Sequence, residues 1–341
     1  MVMDKITQLE NEIKEQKQIN NEILMQLMNC IGKMNQLKSD IQDIKVWNSN
    51  LKYEIAEEVQ GGLKKPKIRS IDETIEDIIC NKKSLVRYGD GEFGILFRIK
   101  REETKFQDQN EKLSMRLKEI IEQKNENVLI GLANNYGSLE EYTPLAANGI
   151  RHYMTSAGGR LMHEQIIDYD RVYENAYLSR PYVMYKDQNT DAPGKRFENL
   201  KRIWKDRDVI IVEGALTRMG VGNDLLEGAN SIQRILAPAE NAYNQYEEIV
   251  ACSKEFAQKD TLFLIALGPT AGVLAYDLAM SGYQAIDIGH IDLEYEWYLV
   301  GEGRRVPIPY KYNNELSGGD QVEEFYDEEY DRQILVDIIP D

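Results

Sequence analysis

Two periodicities divide the chain. Over the first 60 residues apolar side chains return every three or four positions, with no proline and a single glycine, Gly32. Placing Ile6 at heptad position a, the a series reads Ile6, Ile13, Asn20, Leu27, Met34, Ile41, Asn48, Ile55, and the d series reads Leu9, Gln16, Ile23, Cys30, Leu37, Ile44, Leu51, Glu58. Twelve of these sixteen positions are apolar and the register does not slip. That pattern predicts a coiled-coil helix over 1–60, roughly 75 Å long at about 1.5 Å per residue. Asn20 and Asn48 at a positions favour a parallel dimer, because amides pair across the seam there. The alternative is a lone amphipathic helix lying on the rest of the protein.

Residues 61–68, beginning Gly61-Gly62 and containing Pro66, read as a linker. Beyond them short apolar runs alternate with amphipathic stretches. Ser84–Tyr88, Val128–Leu132, Tyr182–Tyr185, Val209–Val212, Ile232–Ala237, Leu262–Leu267 and Ala285–Ile288 are expected strands. Glu111–Gln123, Tyr243–Gln258 and Ala271–Ser281 are expected helices. Strands with near-continuous apolar runs that alternate with helices predict an α/β domain over 69–315, with a mostly parallel sheet covered on both faces. An acidic segment, 316–341, follows, in which Ile334-Leu335-Val336 has the makings of a short edge strand.

Composition narrows the function. The 341 residues are 42% hydrophobic and 29% charged, which suits a packed core and not a disordered chain. The net charge of −17 argues against a nucleic-acid partner, which would need a basic face. That charge is uneven: 1–60 carries −3, 315–341 carries −9, and the body between them only −5. The acidic end thus reads as a solvated segment, not as a site. Three scattered cysteines form neither a disulfide framework nor a zinc spacing. The first residues lack a signal-peptide pattern, and the most apolar stretch, Thr261 to Met280, is broken by Gly268-Pro269 and Asp277, so no transmembrane segment is expected. The expected location is cytoplasmic, at most peripheral at the inner face of the membrane.

In parallel sheets ligands sit beyond the carboxyl ends of the strands, and four segments occupy such places. Arg87-Tyr88-Gly89-Asp90-Gly91-Glu92 follows the first apolar strand, and Arg87 is a candidate contact for the substrate or its nucleotide. If it is extended, Asp90 and Glu92 point the same way and offer paired hard oxygens to Mg²⁺ or Mn²⁺ bridging a diphosphate, while Gly89 and Gly91 let phosphates approach; an acidic turn is the plainer alternative. The loop from Glu213 to Asp224 brings Thr217, Arg218, Asn223 and Asp224, donors suited to phosphate or sugar hydroxyls, or else merely a long connection capped by Asn223 or Asp224. Gly268-Pro269-Thr270 is a strand-to-helix turn whose amides suit an anion, or simply a well-capped turn. Asp287-Ile288-Gly289-His290 leads into Asp292, Glu294 and Glu296 and puts one of only three histidines among carboxylates, as a metal ligand or acid/base, or as a satisfied turn residue. Physics alone stops at metal-assisted handling of a phosphorylated ligand.

These segments, together with Ser231–Tyr243, resemble in consistent order the bacterial GT-D fold glycosyltransferases, over roughly residues 69 to 315. The resemblance implies a Rossmann-like sheet and transfer of a sugar from a nucleotide donor, typically a UDP-sugar, to a growing lipid- or protein-linked glycan. It implies that Asp90-Gly91-Glu92 is the metal and donor-diphosphate element. Chemistry then suggests the other roles. Arg218 and Thr217 contact phosphate or donor sugar, Asn241 and Pro238 line the nucleoside pocket, His290 and Glu296 supply a third metal ligand or the acceptor's base, and Lys311 neutralises the leaving diphosphate. The competing readings are a non-catalytic coiled-coil scaffold that binds a sugar nucleotide, and a nucleotide-sugar hydrolase.

Overall fold

The computed structural model describes residues 2–59, 64–99, 106–313, 315–316 and 318–339. Within them lies one sheet of nine strands: β1 (Lys67–Ile68), β2 (Ser84–Tyr88), β3 (Val128–Leu132), β4 (Val172–Asn175), β5 (Asp208–Gly214), β6 (Ser231–Ala237), β7 (Leu262–Ala266), β8 (Gln284–Asp287) and β9 (Ile334–Asp337). Their spatial order is β1-β4-β3-β2-β8-β7-β5-β6-β9, and every pairing is parallel.

The period of two along each strand sorts side chains between two cores. Val86, Tyr88, Ile210, Val212, Phe263 and Ile265 pack with the helices Glu111–Glu122, Tyr246–Phe256 and Thr270–Met280 on one face. Leu85, Val209, Ile211, Leu262, Leu264 and Ile286 pack with Ile71–Cys80, Ala192–Lys201 and Ile291–Val300 on the other. Both faces are covered, so the open ground for chemistry is the edge formed by the strand ends. From β2 the chain leaves toward β3, whereas from β8 it leaves toward β9 at the opposite edge. Their adjacent carboxyl ends therefore form the switch point at which such sheets bind ligands.

Two expectations are corrected, one strand is unforeseen, and the acidic segment supplies the edge strand that Ile334-Leu335-Val336 suggested. Tyr182–Tyr185 is a turn with one isolated antiparallel bridge, Tyr142 to Tyr185, and not a strand. Its apolar side chains are buried, but the Tyr182 and Val183 amides donate to the Glu294 carboxylate at 3.0 and 2.9 Å instead of to a ladder. The strand in that part of the sheet is β4, whose Glu174 is buried against Thr74 at 3.0 Å and so escapes an apolar-run search. The end of the expected linker, Lys67–Ile68, is β1, paired to β4, while its start at Gly61 to Leu63 lies outside the described residues. The acidic segment is docked: β9 pairs with β6, Tyr330 is buried, and Gln333 accepts from Arg234 at 2.7 Å.

The N-terminal helix is continuous from Val2 to Glu54, with a π-helical turn over Ile55–Val59. Its heptad seam faces solvent, with Ile13, Leu27 and Leu37 exposed. Its last turns rest on the body through other side chains. Ser49 and Tyr53 are buried, and Ser49 shares a hydrogen bond of 2.9 Å with Ser156.

Candidate active site at the ends of β2 and β8

The element after β2 is a helix, Asp90–Leu96, and not extended chain. Gly89 is its N-cap and Glu92 its third residue. The Glu92 carboxylate turns back to accept the Gly89 N–H at 2.8 Å, the backbone half of a capping box that satisfies an orphan donor. Residues two apart on a helix diverge by about 200°, so the two carboxylates leave the backbone in different directions. Asp90 is exposed in the first turn, while Glu92 is half-buried. Burial raises the Glu92 carboxyl above the ordinary range and the nearby Asp287 charge adds to it, opposed by the Gly89 N–H and Arg87.

Arg87 was expected to meet substrate, but it fastens β2 to its neighbours. Its Nε donates to the Asp287 carbonyl at 2.8 Å, Nη2 to Asp287 Oδ1 at 2.6 Å and Nη1 to Ser179 Oγ at 2.7 Å. Gly289 belongs to this lock. Its φ is +53°, and a Cβ there would lie 2.1 Å from Arg87 Nη2.

His290 does not join Asp90 and Glu92 as a ligand. Its Nδ1 accepts from Arg180 Nη2 at 3.3 Å, its Nε2 lies 3.4 Å from Glu315 Oε1, and Phe106 packs edge-on at 5.5 Å. Burial lowers the imidazole to about 4, so at neutral pH it is uncharged, with the Nε2 proton directed at Glu315. Glu315 also takes Arg180 at 2.7 Å and Arg305 at 3.2 Å, and although burial opposes it, His290 in its protonated form and these two arginines hold its carboxyl far below the usual range. No group of three or more His, Cys, Asp or Glu side chains able to hold a metal occurs among the described residues. What remains is Asp90 and Glu92, two carboxylates that leave the helix in different directions, Glu92 already accepting the Gly89 N–H. Such hard oxygens suit a Mg²⁺ or Mn²⁺ ion that keeps waters and takes its other ligands from phosphate, and do not suit a three-ligand protein cage.

Lys311 and Glu296 are placed elsewhere. Lys311 is 1% exposed, and its amine lies 2.7 Å from Asp292 and 2.8 Å from Glu296. Asn223 Nδ2 donates to both carboxylates, at 3.0 and 2.7 Å, and the Tyr310 hydroxyl reaches Glu296 at 3.2 Å. This closed network fixes the loop after β5 to the helix after β8, which leaves neither Lys311 to meet a diphosphate nor Glu296 to act as a base. Asp224 belongs to the same seam, accepting from Lys201 at 3.0 Å and Tyr295 at 2.7 Å. The Arg218 guanidinium donates to the carbonyls of Tyr310 and Glu323. Thr217 and Pro238 are half-buried in the turns after β5 and β6.

The Gly268–Thr270 turn is covered. Phe106 lies against Gly268, where a Cβ would come within 2.9 Å of it at a φ of +50°, and the buried Thr270 hydroxyl donates to Gln107 at 3.3 Å. Asn241 anchors the same strip, its Oδ1 accepting the Asp108 N–H at 2.7 Å and Gln107 Nε2 at 3.1 Å.

Pattern reading missed Arg180, Ser179 and Glu315. Arg180 follows the 3-10 turn Ala176–Ser179 beyond β4. Its Nη1 has no hydrogen-bond partner among the described residues and lies 3.9 Å from Glu294 Oε1. His163 was also passed over. It is caged by Phe93, Tyr136 and Tyr153, with Nδ1 2.6 Å from the Tyr136 hydroxyl and Nε2 3.0 Å from that of Tyr153.

With this geometry in hand, the wider comparison is decisive. The family model for the glycosyltransferase GT-D fold matches residues 85–316. The chain belongs to the GT-D fold glycosyltransferase family. It is 36% identical over 288 residues to a probable glycosyl transferase, Gly, of Streptococcus gordonii, covering 81% of this chain and 40% of that protein. It is 36% identical over 277 residues to the glycosyltransferase GlyD of Streptococcus pneumoniae serotype 4, covering 80% of this chain and 32% of that protein. This family member thus spans less than half the length of those curated relatives. Among solved structures, a glycosyltransferase from Streptococcus sanguinis superposes with a TM-score of 0.73 at 36% identity, covering 80% of this chain and all of that one. A second, described as a highly conserved domain with a distinct glycosyltransferase fold, gives 0.74 at 36% identity over 81% and 97%.

Two outcomes follow from these contacts. Lys311→Met leaves two buried carboxylates facing each other and should cost about 3–5 kcal/mol in denaturant unfolding; weakened donor binding at unchanged stability would instead return Lys311 to a phosphate role. Burial lowers His163 to about 3, against about 6.5 in an unfolded chain. The unfolded state therefore binds more protons between those values, and stability should fall as pH drops below about 6.5. His163→Gln should flatten that part of the stability–pH curve.

Proposed function

We propose that this family member transfers a sugar from a nucleotide sugar, a UDP-sugar, to a hydroxyl of a growing lipid- or protein-linked glycan, with Mg²⁺ or Mn²⁺ at the Asp90–Glu92 element. The observation that carries this reading is the position of that element, at the carboxyl end of β2, where β2 meets β8. A divalent ion held by those carboxylates supplies charge neutralisation to the donor diphosphate. Arg180 is the cation for the leaving diphosphate: it feels the charges of Glu315, Glu294 and Asp90, and its Nη1 has no hydrogen-bond partner among the described residues. It takes the role that the sequence suggested for Lys311. Asn241 and the strip Phe106–Asp108 shape the rim beside it.

The two-sided N-terminal helix supports a homodimer as part of the same proposal. A seam of exposed apolar side chains over about seven heptads is what a second copy of the helix buries. No helix among the described residues is long and apolar enough to cross a membrane. Work in the cytoplasm, at most peripherally at the inner membrane face, is the setting this reading assigns.

The catalytic reading is tested by nucleotide release from a panel of nucleotide sugars with Mg²⁺ or Mn²⁺. Asp90→Asn should lower kcat by about 100-fold or more, and release of UDP, not UMP or phosphate, separates transfer from pyrophosphate cleavage. Unchanged metal-dependent turnover in Asp90→Asn would overturn the assignment. Leu27→Asp with Leu37→Asp places charges in the seam and should halve the mass measured by light scattering, with turnover per chain unchanged. A mass equal to that of the unaltered protein would exclude the helix as the dimer contact.

A further inference from the structure

The end of the N-terminal helix reaches the catalytic rim by two routes, neither of which involves the heptad seam. In the first, the Tyr53 hydroxyl, on a side chain that is 3% exposed, lies 2.9 Å from the Asn135 carbonyl and 3.0 Å from that of Gly137. These carbonyls belong to the loop leaving β3. That loop is tied to the last residue of β2 by the Ala133 N–H, which donates to the Tyr88 carbonyl at 3.3 Å, two residues before Asp90. The Asn135 side chain accepts from the Tyr177 hydroxyl at 2.5 Å. Burial raises the Tyr177 phenol, and Asp90 is among the charges that add to it.

The second route begins at Glu57, whose side chain is 4% exposed. It pairs with Arg160, lies 2.7 Å from Lys65 Nζ, and accepts the Gly137 N–H at 3.0 Å. Arg160 lies over the Tyr136 ring at 5.8 Å, Tyr136 meets His163, and the His163 ring packs at 4.2 Å on Phe93. Phe93 is on the helix that starts with Asp90. Both routes therefore converge on the Asp90–Leu96 element.

We propose that Tyr53 and Glu57 are positioning residues for Asp90 and Glu92, so that the last turns of the N-terminal helix brace the donor site and are not part of a passive tether. Geometry gives the reason. A buried carboxylate and a buried phenol that satisfy three backbone groups of one loop hold it in a single arrangement, because any other would leave those groups unpaired. A loop so held keeps the neighbouring strand end in register, and a misplacement of about 1 Å at a reacting centre costs up to about 100-fold in rate.

The inference rests on the donor reading of the Asp90–Glu92 element, and its test separates the two. Full-length Tyr53→Phe, Glu57→Gln and the double variant are compared with the unaltered protein by amide hydrogen exchange, by nucleotide-release kinetics and by light scattering. Exchange over 89–96 and 133–137 should rise about tenfold while that over 262–266 stays fixed. In the double variant kcat should fall about tenfold with donor KM changed less than twofold and oligomer size unchanged. Exchange and kcat equal to the unaltered protein overturn the proposal. So does faster exchange spread evenly through β7, which reports only a loss of global stability. Should the unaltered protein release no nucleotide from any donor, the donor reading fails while the exchange pattern still decides whether the brace exists.

Discussion

The Arg87–Asp287 contact is the constraint on which the rest of the rim depends. It joins the ends of β2 and β8, the two central strands whose connections leave in opposite directions, and through Ser179 it also reaches the segment after β4. Burial raises the Asp287 carboxyl, and the bonds from Arg87 oppose that shift. An arginine fork answers both the side chain and the carbonyl of one residue, a geometry that lysine does not reproduce. The lock sets where Asp90 emerges on one side and where His290 and Arg180 stand on the other. It also dictates Gly289, since any Cβ there would occupy the space of the guanidinium.

Much of the fold was legible because the sheet is buried on both faces. Strands such as Val128–Leu132 and Leu262–Ala266 carry unbroken apolar runs, and such runs between helical stretches have few other structural solutions. Two of the failures share one cause, a polar group satisfied from far along the chain. β4 escaped because Glu174 is polar, although it is buried against a threonine 100 residues earlier. Tyr182–Tyr185 misled because its amides are satisfied by Glu294, 112 residues from Tyr182. In the site, the residue types Asp90 and Glu92 were readable, while their directions were not: Gly89 starts a helix whose capping box turns Glu92 back on its own backbone. Arg180 carried no local signal, since its significance comes from Glu315 and His290, each more than 100 positions away.

Buried charges hold the loops at the strand ends, among them Lys311 and Glu296, which looked like ligand contacts. Glu213 and Arg234 pair at 2.5 Å in full burial and, through Met219, pin the loop after β5. Lys311 with Asp292 and Glu296 does the same one layer away. Buried pairs of this kind add little net stability, because desolvation offsets their attraction. What they add is a penalty on every alternative arrangement, since separating the partners leaves an uncompensated charge. Loops at strand ends have no ladder to fix them, and here buried charges take that part. Charged residues clustered after strands are therefore a sign that a rim exists, but they do not by themselves separate the residues that bind from those that position.

The N-terminal helix applies the same logic to a longer element. Ser49, Tyr53 and Glu57 recur every four residues, and at about 100° per residue they lie nearly opposite Asn48, Leu51 and Ile55 of the heptad seam. One helix thus presents two independent faces, one committed to the body by hydrogen bonds and a buried carboxylate, the other apolar and open. A domain boundary drawn from the heptads alone falls after residue 60, but the contacts put it near Ser49, the first buried side chain of the helix. A helix joined rigidly at that point transmits its orientation to the body, which a Gly-Gly hinge would not do. If the seam pairs two copies, the two catalytic rims stand at one end of a common stalk in a fixed relation. The separation and facing of the two rims would then follow from the helix phase and not from a flexible linker.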